Sequence, residues 1–232
     1  MAQIVKKQIV KPIELKDTHG NVTARYDEEM VEAVKNTVAK GATDSELFMF
    51  LKVASNYDLD PFLGEIYFAK FKDKNTGEEK SQILSSRDGF RKIAKRQPTY
   101  KNHFSDYVCK NDEFKTIKRM GQLEDIIHSY EQNDRGGLVG AYCVLTTTNG
   151  EVYHYYAEFK NYNTGKGAWN TYPTDMIIKV AETRVFKAFA DVNGVQPEEA
   201  MPEEFSSENN TELLEEKEEI DFIETKKVSE EL

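Results

Sequence analysis

The stretch "GAYCVLTTTNGEVYHYYAEF", residues 140–159, constrains the fold more than any other part of the chain. Two runs rich in β-branched and aromatic residues flank Asn149-Gly150, a pair favoured in two-residue type I′ turns. The spacing predicts a β-hairpin. In its second arm Tyr153, Tyr155, Ala157 and Phe159 alternate with Val152, His154, Tyr156 and Glu158, so this strand has two usable faces. Such a sheet must bury at least one face against another element.

Helical segments are available to cover it. Residues 27–40, "DEEMVEAVKNTVAK", open with acids, space Met30, Val31 and Val34 helically, and meet a stop at Gly41. "TDSELFMFLKVASNY" follows, with Thr43 as N-cap and Glu46 three residues on, a capping box. Its residues Leu47, Phe48, Phe50, Leu51 and Ala54 are apolar almost all round, which predicts a well-buried helix. Pro61 in "DLDPFLG" breaks it. "EIYFAKF" and "SQILSS" predict a second hairpin across "KDKNTGEEK", and "SRDGFRKIAKR" a short helix capped by Ser86 and closed before Pro98. "FSDYVC", "EFKTIKR" and "EDIIHSY" read as strands. The Gly- and Asn-rich loop "KNYNTGKGAWNTY" precedes a helix that Pro173 starts and that runs to about Ala190.

The expected fold is therefore α+β, a small antiparallel sheet packed on helices, with a flexible acidic C-terminal tail. We divide the chain into an N-terminal extension (1–26), a core (27–196) and the tail (197–232). The net charge of -10 belongs to the tail, which has 14 acids against 3 lysines, while the rest carries 28 Lys and Arg against 27 acids. "TELLEEKEEIDFIE" in the tail could form a short helix but is too short for a core of its own. Residues 87–119 hold 10 basic and 4 acidic residues, which reads equally as a nucleic-acid footprint or as a solvated basic face.

No run of apolar residues approaches the roughly 18 needed to span a membrane, and the N-terminus has no signal-peptide pattern, so a cytoplasmic protein is expected. Cys109 and Cys143 could form a disulfide, but two buried free thiols are expected in an intracellular protein. His19, His103, His128 and His154 lack metal-ligand spacing, and there is no Walker loop or nucleophile elbow. Asp58, Asp60 and Glu65 could hold a divalent cation, but Asp58 and Asp60 read more readily as turn formers.

The segment "GKGAWNTYPTDMIIKVAETRVFKAF", residues 165–189, carries the sharper signal. On a helical wheel Ile177, Ile178, Ala181, Val185, Ala188 and Phe189 share one side. Lys179, Thr183 and Lys187 fall within roughly 80° on the other, Arg184 is at the border, and Asp175 and Glu182 lie toward a flank. Trp169 and Tyr172 precede this basic face. Cations that neutralise phosphates beside rings that stack on bases suit single-stranded nucleic acid. The competing reading makes Trp169 a cap on the core.

Three segments in order resemble a known family. "DSELFMFLKVASNYDLDPFLGEIYFAKF" and "ILSSRDGFRKIAKR" resemble the signature of the phage RecT and Red-beta recombinases, and "GAWNTYPTDMIIKVAETRVFKAF" is similar to the family's closing Trp, Pro, Met and helix. The resemblance covers roughly residues 27–200. It implies an ATP-independent single-strand annealing protein of phage homologous recombination, acting in the bacterial cytoplasm. Such a protein coats single-stranded DNA, pairs it into annealed duplex, and assembles as a homo-oligomeric ring or helical filament. Implied partners are a phage exonuclease and a host single-strand-binding protein.

By the same resemblance the DNA-binding residues would include Arg87, Arg91, Lys92, Trp169, Lys179 and Lys187, and we expect Lys70 and Arg184 to join them. No catalytic residue, resident metal or cofactor is implied, with a divalent cation such as Mg left open as an aid. Two departures stand out. Thr174 and Asp175 replace a basic pair that some relatives carry after the Pro, and the region 104–135 is longer. The tail then reads as a docking segment or as a solubilising one. A single-stranded DNA-binding protein that protects without annealing is the alternative. A nuclease using Asp58, Asp60 and Glu65, or a structural assembly protein, are further ones.

Overall fold

The computed structural model describes residues 11–16, 20, 22–72 and 76–198, and the fold is α+β. The tail beyond residue 198, with its suggested helix, lies outside the described residues.

The first described elements are the hairpin β1 (Ile13–Lys16) and β2 (Val22–Tyr26), then α1 (Glu28–Asn36) and α2 (Asp44–Tyr57). Leu15 of the N-terminal extension is fully buried in the main core. The α1 helix stops at Asn36, ahead of the expected Gly41, because Thr37 leaves helical geometry and turns its hydroxyl back onto the Ala33 carbonyl. The capping box of α2 forms as expected. The Thr43 N–H donates to Glu46 Oε2 at 2.8 Å, and the Glu46 N–H donates to Thr43 Oγ1. Chiefly through the Thr43 N–H, the Glu46 carboxyl is pulled down to about 2. Leu47, Phe50, Leu51 and Ala54 are buried, but Phe48 and Met49 are exposed, so α2 is amphipathic rather than enclosed all round.

The second hairpin is β3 (Ile66–Lys72) and β4 (Glu79–Ser85), and α3 (Arg87–Arg96) follows with Ser86 Oγ accepting from the Gly89 N–H. Gly89 is required here. A Cβ on it would sit 2.4 Å from the Glu65 carbonyl oxygen, so the helix start could not lie against the strand entry with any larger residue.

The central sheet is antiparallel with order β5 (Tyr100–Cys109), β8 (Leu138–Thr147) and β9 (Val152–Glu158). Its two faces are used differently, as the alternation in β9 predicts. Ala141, Cys143, Leu145 and Ala157 join the main core under α5 (Pro173–Phe189), with Tyr153 and Tyr155 packed against it. On the reverse, Val108, Tyr142 and Val144 make a smaller cluster under the hairpin β6 (Glu113–Arg119) and β7 (Gln122–Ser129), which contributes Phe114, Leu123 and Ile126. The hairpin is fastened at its base by Arg135. This side chain lies between the Tyr107 and Tyr130 rings, 4.0 and 3.6 Å from their centroids, and donates two hydrogen bonds to the buried Asp112. Cys109 and Cys143 are buried free thiols.

One turn differs from expectation. Type I′ needs positive φ at both central residues. At the β8–β9 junction only Gly150 has it, and the Thr147 N–H donates to the Glu151 carbonyl, which closes a three-residue loop. Thr147 Oγ1 also bonds the Asn149 side chain. The consecutive positive φ values occur instead at Met120 and Gly121, the tip of the β6–β7 hairpin.

The chain closes with a one-turn α4 (Ala168–Thr171), then α5, then β10 (Gln196–Pro197), which pairs parallel to β4. Helices α3 and α5 pack together, and α5 crosses the central sheet. This arrangement places the basic segments of the sequence around one helix pair.

Candidate nucleic-acid interface

Helix α3 buries Gly89, Phe90, Ile93 and Ala94. At roughly 100° per residue, those four define one side, and Arg87, Asp88, Arg91, Lys92, Lys95 and Arg96 spread over the other. Five cations and one acid thus share the outward arc of a ten-residue helix. Glu65, Asp88, Arg91, Lys92, Lys95 and Arg96 line a shallow depression of about 400 Å³ on this arc.

The cations of α3 are held in different ways. Arg91 Nη2 donates to Glu182 Oε2 at 2.8 Å, and Arg87 Nε approaches the same oxygen at 3.6 Å. The other Glu182 oxygen accepts from Ser105 Oγ at 2.6 Å. The Glu182 side chain is only 6% exposed, so this carboxylate belongs to the interior. Lys92 pairs with the half-buried Glu65. Arg96 pairs with Asp58, whose side chain is 79% exposed, and also donates to the Asp58 carbonyl at 3.1 Å. Lys95 is exposed and makes no ion pair among the described residues. Exposed pairs such as Arg96–Asp58 contribute about 0–1 kcal/mol, so a phosphate can replace the carboxylate at little cost. Arg91 is not free in that sense, because releasing it would strand a buried Glu182.

His103 completes the cluster from β5. Its Nδ1 lies 2.6 Å from the Tyr100 hydroxyl and its ring stands edge-on to Phe186 at 4.8 Å. Burial lowers its pKa; Glu182 opposes that shift, and Arg91 and Lys95 reinforce it.

The expected basic face of α5 is covered. Thr183 is buried, as is Glu182, which the wheel placed on a flank. Lys179 pairs with Glu198, whose carboxylate also accepts from the Tyr67 hydroxyl. Lys187 Nζ donates to the Val195 carbonyl at 2.8 Å and to Gln196 Oε1 at 3.1 Å, and burial lowers its pKa, with the Arg184 charge adding to it. A helical wheel treats one helix alone. It could not show that residues 195–198 fold back over this side, with Gln196 and Pro197 paired to β4.

The remaining expected residues lie elsewhere. Lys70 on β3 is paired with Glu46 at 3.5 Å and Glu79 at 3.3 Å. Trp169 in α4 is half-buried against the main core, its ring 6.1 Å from Phe159, while Tyr172 is exposed. Arg184 is exposed and interacts with the Tyr162 hydroxyl. The structure therefore brings together Arg87, Arg91 and Lys92 on α3, gathers Lys179 and Lys187 under residues 195–198, and leaves Lys70, Trp169 and Arg184 outside both groups. Sequence reasoning passed over Lys95 and Arg96, although "RDGFRKIAKR" places both on the polar arc of the helix it predicted.

Asp58, Asp60 and Glu65 act as turn formers. Asp58 ends α2 in left-handed geometry, Asp60 Oδ1 accepts from the Phe62 N–H at 2.8 Å, and Glu65 Oε2 accepts from the Asp60 N–H at 2.7 Å. Among the described residues no group of three or more His, Cys, Asp or Glu side chains could hold a metal ion, and no helix is long and apolar enough to cross a membrane.

No curated protein matches the chain. The model of the RecT family matches residues 24–215, from within β2 through β10, and takes in every residue of the α3 cluster. With the signature segments folded around the α3–α5 pair and matched over most of its length, the chain belongs to the RecT family of DNA recombination proteins.

Proposed function

We propose that the protein is an ATP-independent single-strand annealing protein of phage recombination, which coats single-stranded DNA as a homo-oligomer and pairs it with its complement. The observation that carries this reading is the outward arc of α3, five cations with Lys95 unpaired among the described residues, in a chain of the RecT family. Annealing breaks no bond. It requires that backbone repulsion between two strands be screened while bases stay unpaired and accessible. Cations on a rigid helix meet the first requirement without reading sequence, so binding is sequence-tolerant and weakens steeply with salt. The acidic tail is assigned to partner docking, with an exonuclease or a single-strand-binding protein as the partner class. A divalent cation, if it helps, would act on the DNA rather than in a protein site.

The test is annealing of two complementary fluorescent oligonucleotides without ATP across a salt series. Pairing well above the spontaneous rate and fading with salt supports the reading. Strong single-strand binding without acceleration would replace it with a protective binder, and absence of binding would overturn it.

A further inference from the structure

The loop from Asp58 to Glu65, between α2 and β3, is closed on itself and pinned to α3 at both ends. Its backbone is bonded internally. The Phe62 N–H donates to Asp60 Oδ1, the Gly64 N–H to the Pro61 carbonyl, and the Glu65 N–H to the Asp60 carbonyl. Lys92 holds Glu65 at one end and Arg96 holds Asp58 at the other. Leu59 and Pro61 point inward and are buried. Phe62 and Leu63 do the opposite, at 51% and 72% exposed.

An ordered loop that spends its hydrogen bonds on holding two large apolar groups in water presents a binding surface rather than a packing fault. Its neighbours identify the ligand. The loop is tied to Lys92 and Arg96, on either side of Lys95, which has no ion pair among the described residues, and Arg96 is held there by the exposed Asp58 carboxylate and the Asp58 carbonyl. An aromatic ring on a loop tied to an exchangeable cation fits a base with its phosphates. A duplex does not offer the face of a base, so the ligand is single-stranded.

We propose that Phe62 and Leu63 form a platform on which one unpaired base of single-stranded DNA rests, while Lys95 and Arg96 take the adjacent phosphates. The proposal rests on the reading above and adds to it a stacking position at a loop read until now as a turn. Base stacking on a protein ring is worth a change of about 5- to 150-fold in affinity. The platform and the cations separate cleanly in experiment, because stacking leaves the salt slope alone and phosphate contacts set it.

The experiment measures binding of the full chain to a fluorescent oligothymidylate, and to the same backbone carrying abasic sites, over a salt series. The expected result is that Phe62→Ala with Leu63→Ser weakens oligothymidylate binding about tenfold at every salt concentration, with an unchanged slope and unchanged affinity for the abasic strand. Phe62→Trp should retain binding and show emission quenching on adding oligothymidylate, beyond any from Trp169 measured in the native chain. Equal binding by native protein and Phe62→Ala/Leu63→Ser would overturn the platform and leave the annealing reading in place. Failure of the native chain to bind any single strand would instead remove that reading itself. If the variant alters sedimentation of the DNA-free protein and not its intrinsic affinity, the patch is a contact between protein chains and the proposal falls.

Discussion

Arg91 on α3 and Glu182 on α5 meet at 2.8 Å, and their pairing decides how the basic surface is divided. The glutamate is interior and the arginine only partly so. Arg91, with Arg87 beside it, is therefore a structural tie between helices, and Lys95 and Arg96 at the far end of the arc are left to act on a ligand. Removing Glu182 should cost stability. Glu182→Ala is expected to destabilise the fold by about 2–4 kcal/mol in urea or guanidinium unfolding, since it leaves Arg91 without its main partner and opens a gap beside Ser105. A change within experimental error would mean that water already serves this site.

Lys95 and the exposed, exchangeable Arg96 should behave differently. Lys95→Ala with Arg96→Ala is expected to leave the unfolding midpoint nearly unchanged and to lower single-strand affinity at every sequence. It should also reduce the slope of log affinity against log salt by about 1.4, the contribution of two phosphate contacts on a single strand. An unaltered slope would remove α3 from the interface.

Lys179 and Lys187 need a third variant beside them. Both are held by residues 195–198, so Lys179→Ala with Lys187→Ala should weaken DNA binding less than the α3 pair does. Glu198→Gln frees Lys179 and deprives the Tyr67 hydroxyl of a charged acceptor. Affinity should rise in that variant if Lys179 can reach phosphate once released. Titration of both variants against one labelled oligonucleotide compares them directly. A loss from the lysine pair larger than that from the α3 pair would show that the segment lifts away when DNA binds.

Two neighbours on α2 separate core from surface. Phe50 is fully buried and meets Phe68 edge-on at 6.5 Å, while Phe48 is 49% exposed. Phe50→Asp should abolish folding, because it buries a charge with no partner. Phe48→Asp should fold with a loss on the order of 1 kcal/mol or less. Circular dichroism with thermal melting distinguishes the two, and similar behaviour would show the helix rotated from its described orientation.

Acidification should weaken the fold through His103. Its pKa is lowered on folding, so below the ordinary histidine value of 6.5 the unfolded chain binds a proton that the folded chain resists. The stability it contributes is complete above pH 6.5 and declines as pH falls through the lower folded value. His154 is shifted the same way by burial and by Lys118, and adds to the decline. His103→Gln should flatten part of the slope between pH 7 and 5 in a series of melting temperatures. An unchanged slope would assign the whole effect to other groups.

Local order was legible in the sequence because local chemistry decides it. The capping box at Thr43 and Glu46, the Ser86 cap, Pro173 at the start of α5 and the two-faced alternation in β9 are contacts among near neighbours, and each appears in the structure. So was the presence of a basic helix after Ser86. The turn at Gly150 was misread because Asn-Gly supports more than one loop type, and the hydrogen bonds of Thr147 choose among them.

What only the tertiary structure decided is which charges are available. Glu182 looks like a flank residue on a wheel and becomes the interior anchor of Arg87 and Arg91 once α3 and β5 close on α5. Lys179 and Lys187 look open and are covered by a strand that pairs with β4, more than a hundred residues earlier in the chain. Phe62 and Leu63 look like turn filler, and they stand exposed on a loop that Lys92 and Arg96 tie to α3 at both ends. Periodicity reports the side of an element on which a residue lies. Whether that side meets water, a carboxylate or another strand depends on long-range packing, and the electrostatics of this surface follow from that packing.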